Sequence, residues 1–177
     1  MRFAMPSPKT VKISVRMSQH VYDALAADAA HRGFAAGEHI HRLLEKSAAK
    51  SGHMQAAEAE RIRLHWKVVK QFQTLARAVD AEGGFDAHFT LTVFRRAVAD
   101  PDLRAIYERS IDGDAFAVGL AGKSPLNMYL GFYVKNAVGA HPKVDAQGKP
   151  LRAQVRGEPV QSYQLLSKLD PARQNAA

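Results

Sequence analysis

The stretch TVKISVRMS, residues 10–18, decides how the rest of the chain is read. Val11, Ile13, Val15 and Met17 alternate with Lys12, Ser14 and Arg16, the period-2 pattern of a strand with one apolar and one cationic face. Ser18 then opens a helical pattern, and no second strand follows closely enough to pair with it. A lone strand leaves its backbone groups unpaired and its apolar row in water, so residues 10–18 pose a problem within one chain. The problem disappears if two chains pair these strands antiparallel and lay Ile13, Val15 and Met17 on helices from both copies.

The next residues supply such helices. SQHVYDALAADAAHRG, residues 18–33, has Ser18 as a hydroxyl cap, Val21, Leu25 and Ala29 on one face, and Gly33 to end the helix. AAGEHIHRLLEKSAAK, residues 35–50, turns Ile40, Leu43, Leu44 and Ser47 inward, and Lys46 and Lys50 sit near its C-terminal end, where the helix dipole favours cations. A unit of about 40 residues is near the lower limit for a self-sufficient core, a second reason to expect pairing. The paired ribbon would show Lys12, Ser14 and Arg16 twice about a two-fold axis. A two-stranded ribbon fits the B-DNA major groove, where Arg and Lys donate to guanine and Ser reads several bases.

Residues 9–49 resemble the ribbon-helix-helix DNA-binding proteins (the MetJ/Arc/CopG-like group). The likeness rests on VKISVRMS, on QHVYDALAADAAHRG with Leu25, Ala29 and Gly33, and on EHIHRLLEKS with Ile40 and Leu44. It implies an obligate homodimer with Ile13, Val15, Met17, Leu25, Ile40 and Leu44 in its core. It further implies base reading by Lys12, Ser14 and Arg16, and phosphate contacts near Ala36 and Gly37, to which Lys9 adds a cation. The chain departs from the family before the second helix: where Ser or Thr usually caps, it reads GFAAGEHI, a loss of about 1 kcal/mol of capping.

Composition agrees with a polyanion partner. The 177 residues carry a formal charge of +8, with 46% hydrophobic residues, a pI near 9.9 and a mean hydropathy of −0.27. Residues 1–60 hold 8 Lys/Arg against 6 Asp/Glu, and residues 61–177 hold 17 against 11, so the second part could also meet a polyanion. No cysteine is present, which removes disulfides, thiolate nucleophiles and cysteine-ligated zinc. MRFAMPSPKT lacks a signal-peptide core and no run of 18 apolar residues could span a bilayer, so the expected setting is the cytoplasm, away from the membrane.

The expected organisation is an N-terminus at 1–8 outside the fold, the DNA-binding module at 9–49, a linker at 50–60, a mostly helical domain at 61–170 and a loose tail at 171–177. In the second domain RIRLHWKVVKQFQTLARAV is strongly helical, with Trp66 and Phe72 in its core and EGG as its end. FTLTVFRRAVA fits strand or helix. Asp100 caps a helix with Pro101 at its first position, and Ser124 and Pro125 repeat the device before NMYLGFYVKNAVG. There Leu126, Tyr129 or Leu130, Tyr133 and Ala137 form an apolar stripe with Phe132 near its edge. Turn signals at 147–150 and 157–159 allow a small hairpin, whose Lys143, Lys149, Arg152 and Arg156 make either a solvated face or a phosphate-contacting arm.

Other chemistries find little support. AVGLAGKS, residues 117–124, approaches a phosphate-binding loop but has Ala117 where the first glycine belongs, and too little chain follows for a nucleotide-binding sheet. It reads as a loop before a helix, with Lys123 still able to touch a DNA phosphate. The eight histidines show no H-x-x-x-H, and His39 and His41 point to different sides of their helix, so no metal is expected. Asp112 and Asp114 flank Gly113 in a turn, and no hydrolase or metalloprotease motif is present, which points away from an enzyme and from any cofactor.

The expected function is therefore sequence-specific double-stranded DNA binding in transcriptional regulation, typically repression. Two alternatives are an accessory factor of plasmid transfer or partition, and an antitoxin. The second domain would serve an unidentified protein partner or ligand.

Overall fold

The computed structural model describes residues 11–32 and 34–168. Lys9, Gly33 and the terminal segments 1–8 and 171–177 lie outside them. The described residues form α1 (Gln19–His31), α2 (Ala36–Lys50), α3 (Ala56–Ala81), α4 (Phe89–Ala99), α5 (Pro101–Ile111) and α6 (Lys123–Ala137). Four short strands follow: β1 (His141–Pro142), β2 (Arg152–Gln154), β3 (Ser162–Gln164) and β4 (Leu166–Ser167). The molecule is mainly helical, as its periodicities indicate.

The 26-residue α3 is the central element, and α2, α4, α5 and α6 all pack against it. Trp66, Val68, Val69, Phe72, Ala76 and Val79 of α3 are buried, which puts the expected Trp66 and Phe72 in the core. Gly83 ends α3 in the left-handed region at φ +77°, and the Gly84 N–H reaches back to the Val79 carbonyl at 2.9 Å. Gly139 (φ +63°) closes α6 in the same way, with the Ala140 N–H on the Lys135 carbonyl at 3.1 Å. FTLTVFRRAVA is a helix, α4, and six of its eleven residues are buried. Arg95, Arg96 and Ala99 stay exposed, so α4 has a buried and an open side, and its apolar run is too short to tell helix from strand by period.

Asp100 caps α5 as its sequence indicates: one carboxylate oxygen accepts from the Asp102 and Leu103 N–H groups at 2.9 and 3.0 Å, and Pro101 takes the first position. The expected repeat of this device at Ser124 is not what forms. Helix α6 begins two residues earlier, with Gly122 at the cap and Lys123 as its first residue. Pro125 is then third, still within the first turn, where no backbone acceptor awaits its missing N–H. The expected linker at 50–60 is also shorter in the fold, because α2 runs to Lys50 and α3 already begins at Ala56.

The C-terminal strands make two small antiparallel pairs, β1 with β4 and β2 with β3. The turn signals are well placed. Asp145 accepts from Gln147 and Lys149 in the first turn, and Gly157 (φ +70°) lies in the second. Asn127 joins this sheet region to the helices: its amide oxygen accepts from the Tyr107 hydroxyl (2.6 Å) and its amide N–H₂ donates to the Pro159 carbonyl (3.2 Å). No described helix is long and apolar enough to cross a membrane.

Candidate nucleic-acid interface

Residues 11–18 form no strand in the single chain, and among the described residues the strands all lie towards the C-terminal end. The strand expected from their alternation is therefore not formed. The reason is elementary: a ladder needs a partner, and one chain offers none here. Lys12, Ser14 and Arg16 are all exposed. The apolar row is exposed with them, Val11 at 80%, Ile13 at 76% and Val15 at 65% of their accessible surface, and Met17 to a lesser degree.

The helices that follow are also incompletely covered. Of the expected core, Leu44 is exposed and Leu25 and Ile40 are half-buried. Val21, Tyr22 and Leu43 are exposed too. The inner side of α2 in the single chain is instead His39 and Ala49, not Leu43, Leu44 and Ser47 as its sequence suggests. One face of this pair of helices packs on the rest of the molecule, and the other carries unburied apolar side chains.

At Ser18 the helix starts where expected, with the Tyr22 N–H on the Ser18 carbonyl at 3.1 Å, although the hydroxyl makes no capping bond. The Phe34 N–H bonds the Ala29 carbonyl at 2.8 Å and closes α1. Ala35, extended at φ −71° and ψ 146°, precedes α2, and the His39 N–H takes the Ala35 carbonyl at 3.0 Å. Ala36 and Gly37 thus occupy the first turn, where N–H groups have no intrahelical acceptor and the dipole is positive. No side chain caps them.

The α1–α2 corner is fixed by polar and aromatic contacts that sequence reading missed. Asp28 receives the Arg32 Nε at 2.7 Å on one oxygen and lies 2.8 Å from the His39 Nε2 on the other. The hydrogen bond from Arg32 holds the Asp28 carboxyl below its ordinary pKa. Its i, i+4 spacing to Arg32 is legible in sequence, whereas the contact with His39 arises only when the two helices fold together. Phe34 plugs into the core against Tyr133 and Trp66, with ring centroids 5.1 and 6.5 Å away, and the Arg42 guanidinium lies 4.8 Å over its ring. The Trp66 Nε1–H donates to Glu45 at 2.7 Å and an Arg63 N–H donates to the Ala49 carbonyl at 3.2 Å, so α2 is bound to α3 along its length.

Lys123 is not a free cation. It is buried, and its ammonium donates to the Ala115 and Ala117 carbonyls at 2.7 and 2.6 Å, which overturns the expectation that it touches phosphate. The AVGLAGKS segment is a loop that the lysine staples to the start of α6. Asp112 and Asp114 serve local structure: Asp112 ends α5 at φ +51° and Asp114 accepts from the Phe116 N–H and from Arg104. In the α6 stripe Leu126, Leu130 and Tyr133 are buried while Tyr129 is exposed. Lys143, Lys149, Arg152 and Arg156 are all exposed on the strand region, and Arg152 donates to the Ser162 hydroxyl. Among the described residues no three His, Asp or Glu side chains gather as a metal site.

A cleft of about 570 Å³ opens between α6 and the β2–β3 pair, with Lys135 and Arg152 at its edge. A second, of about 480 Å³, lies between α2, α3 and α6 and is walled by Trp66, Tyr129, Tyr133 and His65. Burial lowers the His65 pKa, so its ring there is neutral near pH 7. Comparison of the chain with family models, with curated proteins and with solved structures finds no match.

Proposed function

We propose that the chain acts as a homodimer that binds double-stranded DNA in a sequence-specific way and regulates transcription in the cytoplasm. The reading rests on one observation: the large apolar side chains at 11, 13, 15, 17, 43 and 44 stand exposed, and they coincide with a segment whose alternate residues are Lys12, Ser14 and Arg16. Burial of each Ile, Val, Leu or Met contributes about 1.5–3 kcal/mol, so a second copy that covers these rows offers a strong drive to pair. Antiparallel pairing of residues 10–18 would satisfy the backbone of both chains at once.

In the paired ribbon Arg16 and Lys12 are the base readers, donating to guanine O6 and N7, with Ser14 between them. Ala36 and Gly37 at the start of α2 supply backbone N–H groups for a phosphate oxygen, and their small size lets the backbone approach closely. Lys9, before the ribbon, adds a cation for the phosphate chain.

The test is competition for duplex DNA. Fragments selected from a genomic pool, the protein's own upstream region included, compete with random duplex for wild type and Arg16→Ala. Loss of about 1–3 kcal/mol of discrimination in Arg16→Ala is expected. Equal discrimination in both proteins removes Arg16 from the readout. Wild-type binding that shows no sequence preference contradicts the reading as a whole.

A further inference from the structure

Helix α2 carries Arg42, Lys46 and Lys50 at i, i+4 and i+8, so all three share one face. Lys70 of α3, which packs on α2, is close enough to act on the charge of Lys46. Arg32, at the end of α1, is close enough to act on both Arg42 and Lys46. Lys46, Lys50 and Lys70 are exposed. Arg42 is half-buried and held in place, its guanidinium 4.8 Å from the Phe34 ring centroid and 5.6 Å from that of Trp66.

Among the described residues, none of Arg42, Lys46, Lys50 and Lys70 has a carboxylate within 4.0 Å. Of the nearby acids, Glu45 is engaged by Trp66 and His41, Glu60 by Arg63, and Asp28 by Arg32 and His39, while Glu38, one turn before Arg42 on the same face, is half-buried and makes no ion pair with it. Lys46 is lowered from its ordinary pKa by partial burial and then by Arg42, Lys50, Arg32 and Lys70. Gathering like charges in this way costs stability in the free protein, and a polyanion removes that cost when it binds.

We propose that this ridge on α2 and α3, formed by Arg42, Lys46, Lys50 and Lys70, is a phosphate-binding surface for duplex DNA, additional to the ribbon and the start of α2. The proposal rests on the DNA-binding reading above and extends it from the first 49 residues onto the helix that organises the second domain. From Arg42 to Lys50 the ridge spans about 12 Å, a length over which duplex DNA carries about seven charges. The side chains are ones that reach phosphate without reading bases, so the ridge adds affinity and not sequence choice.

The experiment measures binding of a random-sequence duplex between 50 and 300 mM KCl by the full chain and by Lys46→Gln/Lys50→Gln/Lys70→Gln. Arg42 is left in place because it packs on Phe34 and Trp66. Each lost phosphate contact flattens the plot of log affinity against log salt by about 0.9, so the triple variant should lose about 2–3 units of slope. The charge-keeping Lys46→Arg/Lys50→Arg/Lys70→Arg should retain the wild-type slope, and unchanged Trp66 fluorescence in both variants reports an intact fold. A slope equal to wild type in the Gln variant overturns the proposal. So does an unchanged DNA slope together with lost binding to vesicles containing anionic lipid, which would assign the ridge to a membrane surface. Arg16→Ala separates the two readings: it tests sequence discrimination, and the ridge variants test the salt slope. A flattened slope in the Gln variant with unaltered discrimination in Arg16→Ala leaves the ridge and removes Arg16 from the readout.

Discussion

Phe34→Ala should loosen the joint between the first two helices and the rest of the molecule. Phe34 is only 7% exposed, yet it lies on the short connection between α1 and α2, not on a helix face. Its ring meets Tyr133 and Trp66 edge-on and supports the Arg42 guanidinium. Truncation removes six ring carbons from a packed site and leaves a cavity that Trp66 and Tyr133, both anchored on helices, cannot readily fill. Such Phe→Ala changes cost about 3–5 kcal/mol, including the edge-to-face contacts. With a urea dependence of about 2 kcal/mol per molar, the midpoint should fall by about 1.5–2.5 M.

Trp66 is the single tryptophan and lies beside Phe34, so its fluorescence reports the transition directly. Its emission should also shift to the red before unfolding, as water reaches the vacated space. Val118→Ala, at a residue 72% exposed, is the control and should move stability by no more than about 0.5 kcal/mol. A Phe34→Ala midpoint within about 0.25 M of wild type would refute the reasoning, because the ring would then contribute no more than a surface side chain.

Three further outcomes are expected. Asp100→Ala should destabilise the fold by about 1 kcal/mol in the same urea assay, since two first-turn N–H groups of α5 lose their acceptor. Lys123→Met keeps much of the volume but strands the Ala115 and Ala117 carbonyls, and should cost about 1–3 kcal/mol with faster hydrogen exchange across residues 115–122. His65, whose pKa burial lowers from 6.5, binds a proton more readily unfolded than folded. Stability should therefore be intact above pH 6.5 and decline as the pH falls below it, and thermal melts of His65→Gln between pH 7 and 5 should show a shallower decline than wild type.

Local signals were legible in the sequence. Asp100 with Pro101, Gly83 after α3, Gly139 after α6 and the turns near Gly148 and Gly157 depend on one residue's own geometry or on a bond to a near neighbour. The amphipathic face of α3 was legible for the same reason, since one side meets the core and the other meets water. Signals that depend on the whole fold were not. Helix α4 opens with the apolar run FTLTVF, too short for its period to distinguish helix from strand. Lys123 looks like a surface cation in sequence, and only the path of residues 115–117 brings two carbonyls to its ammonium. Phe34 belongs to no repeating pattern, so nothing local marks it as the plug between α2, α3 and α6. At the candidate interface the alternation of residues 11–17 predicts a strand, but a strand also needs a partner, and none of the described residues supplies one.

The most direct measurement is the solution mass of wild type and Ile13→Asp by sedimentation equilibrium over a hundredfold range of concentration. Pairing through residues 10–18 requires a wild-type mass twice that of the 19.4 kDa chain, and a folded or unfolded species of single-chain mass for Ile13→Asp. A wild-type protein that stays at single-chain mass throughout, or an Ile13→Asp variant that remains dimeric, would contradict the paired ribbon and with it the assignment of Lys12, Ser14 and Arg16 to DNA.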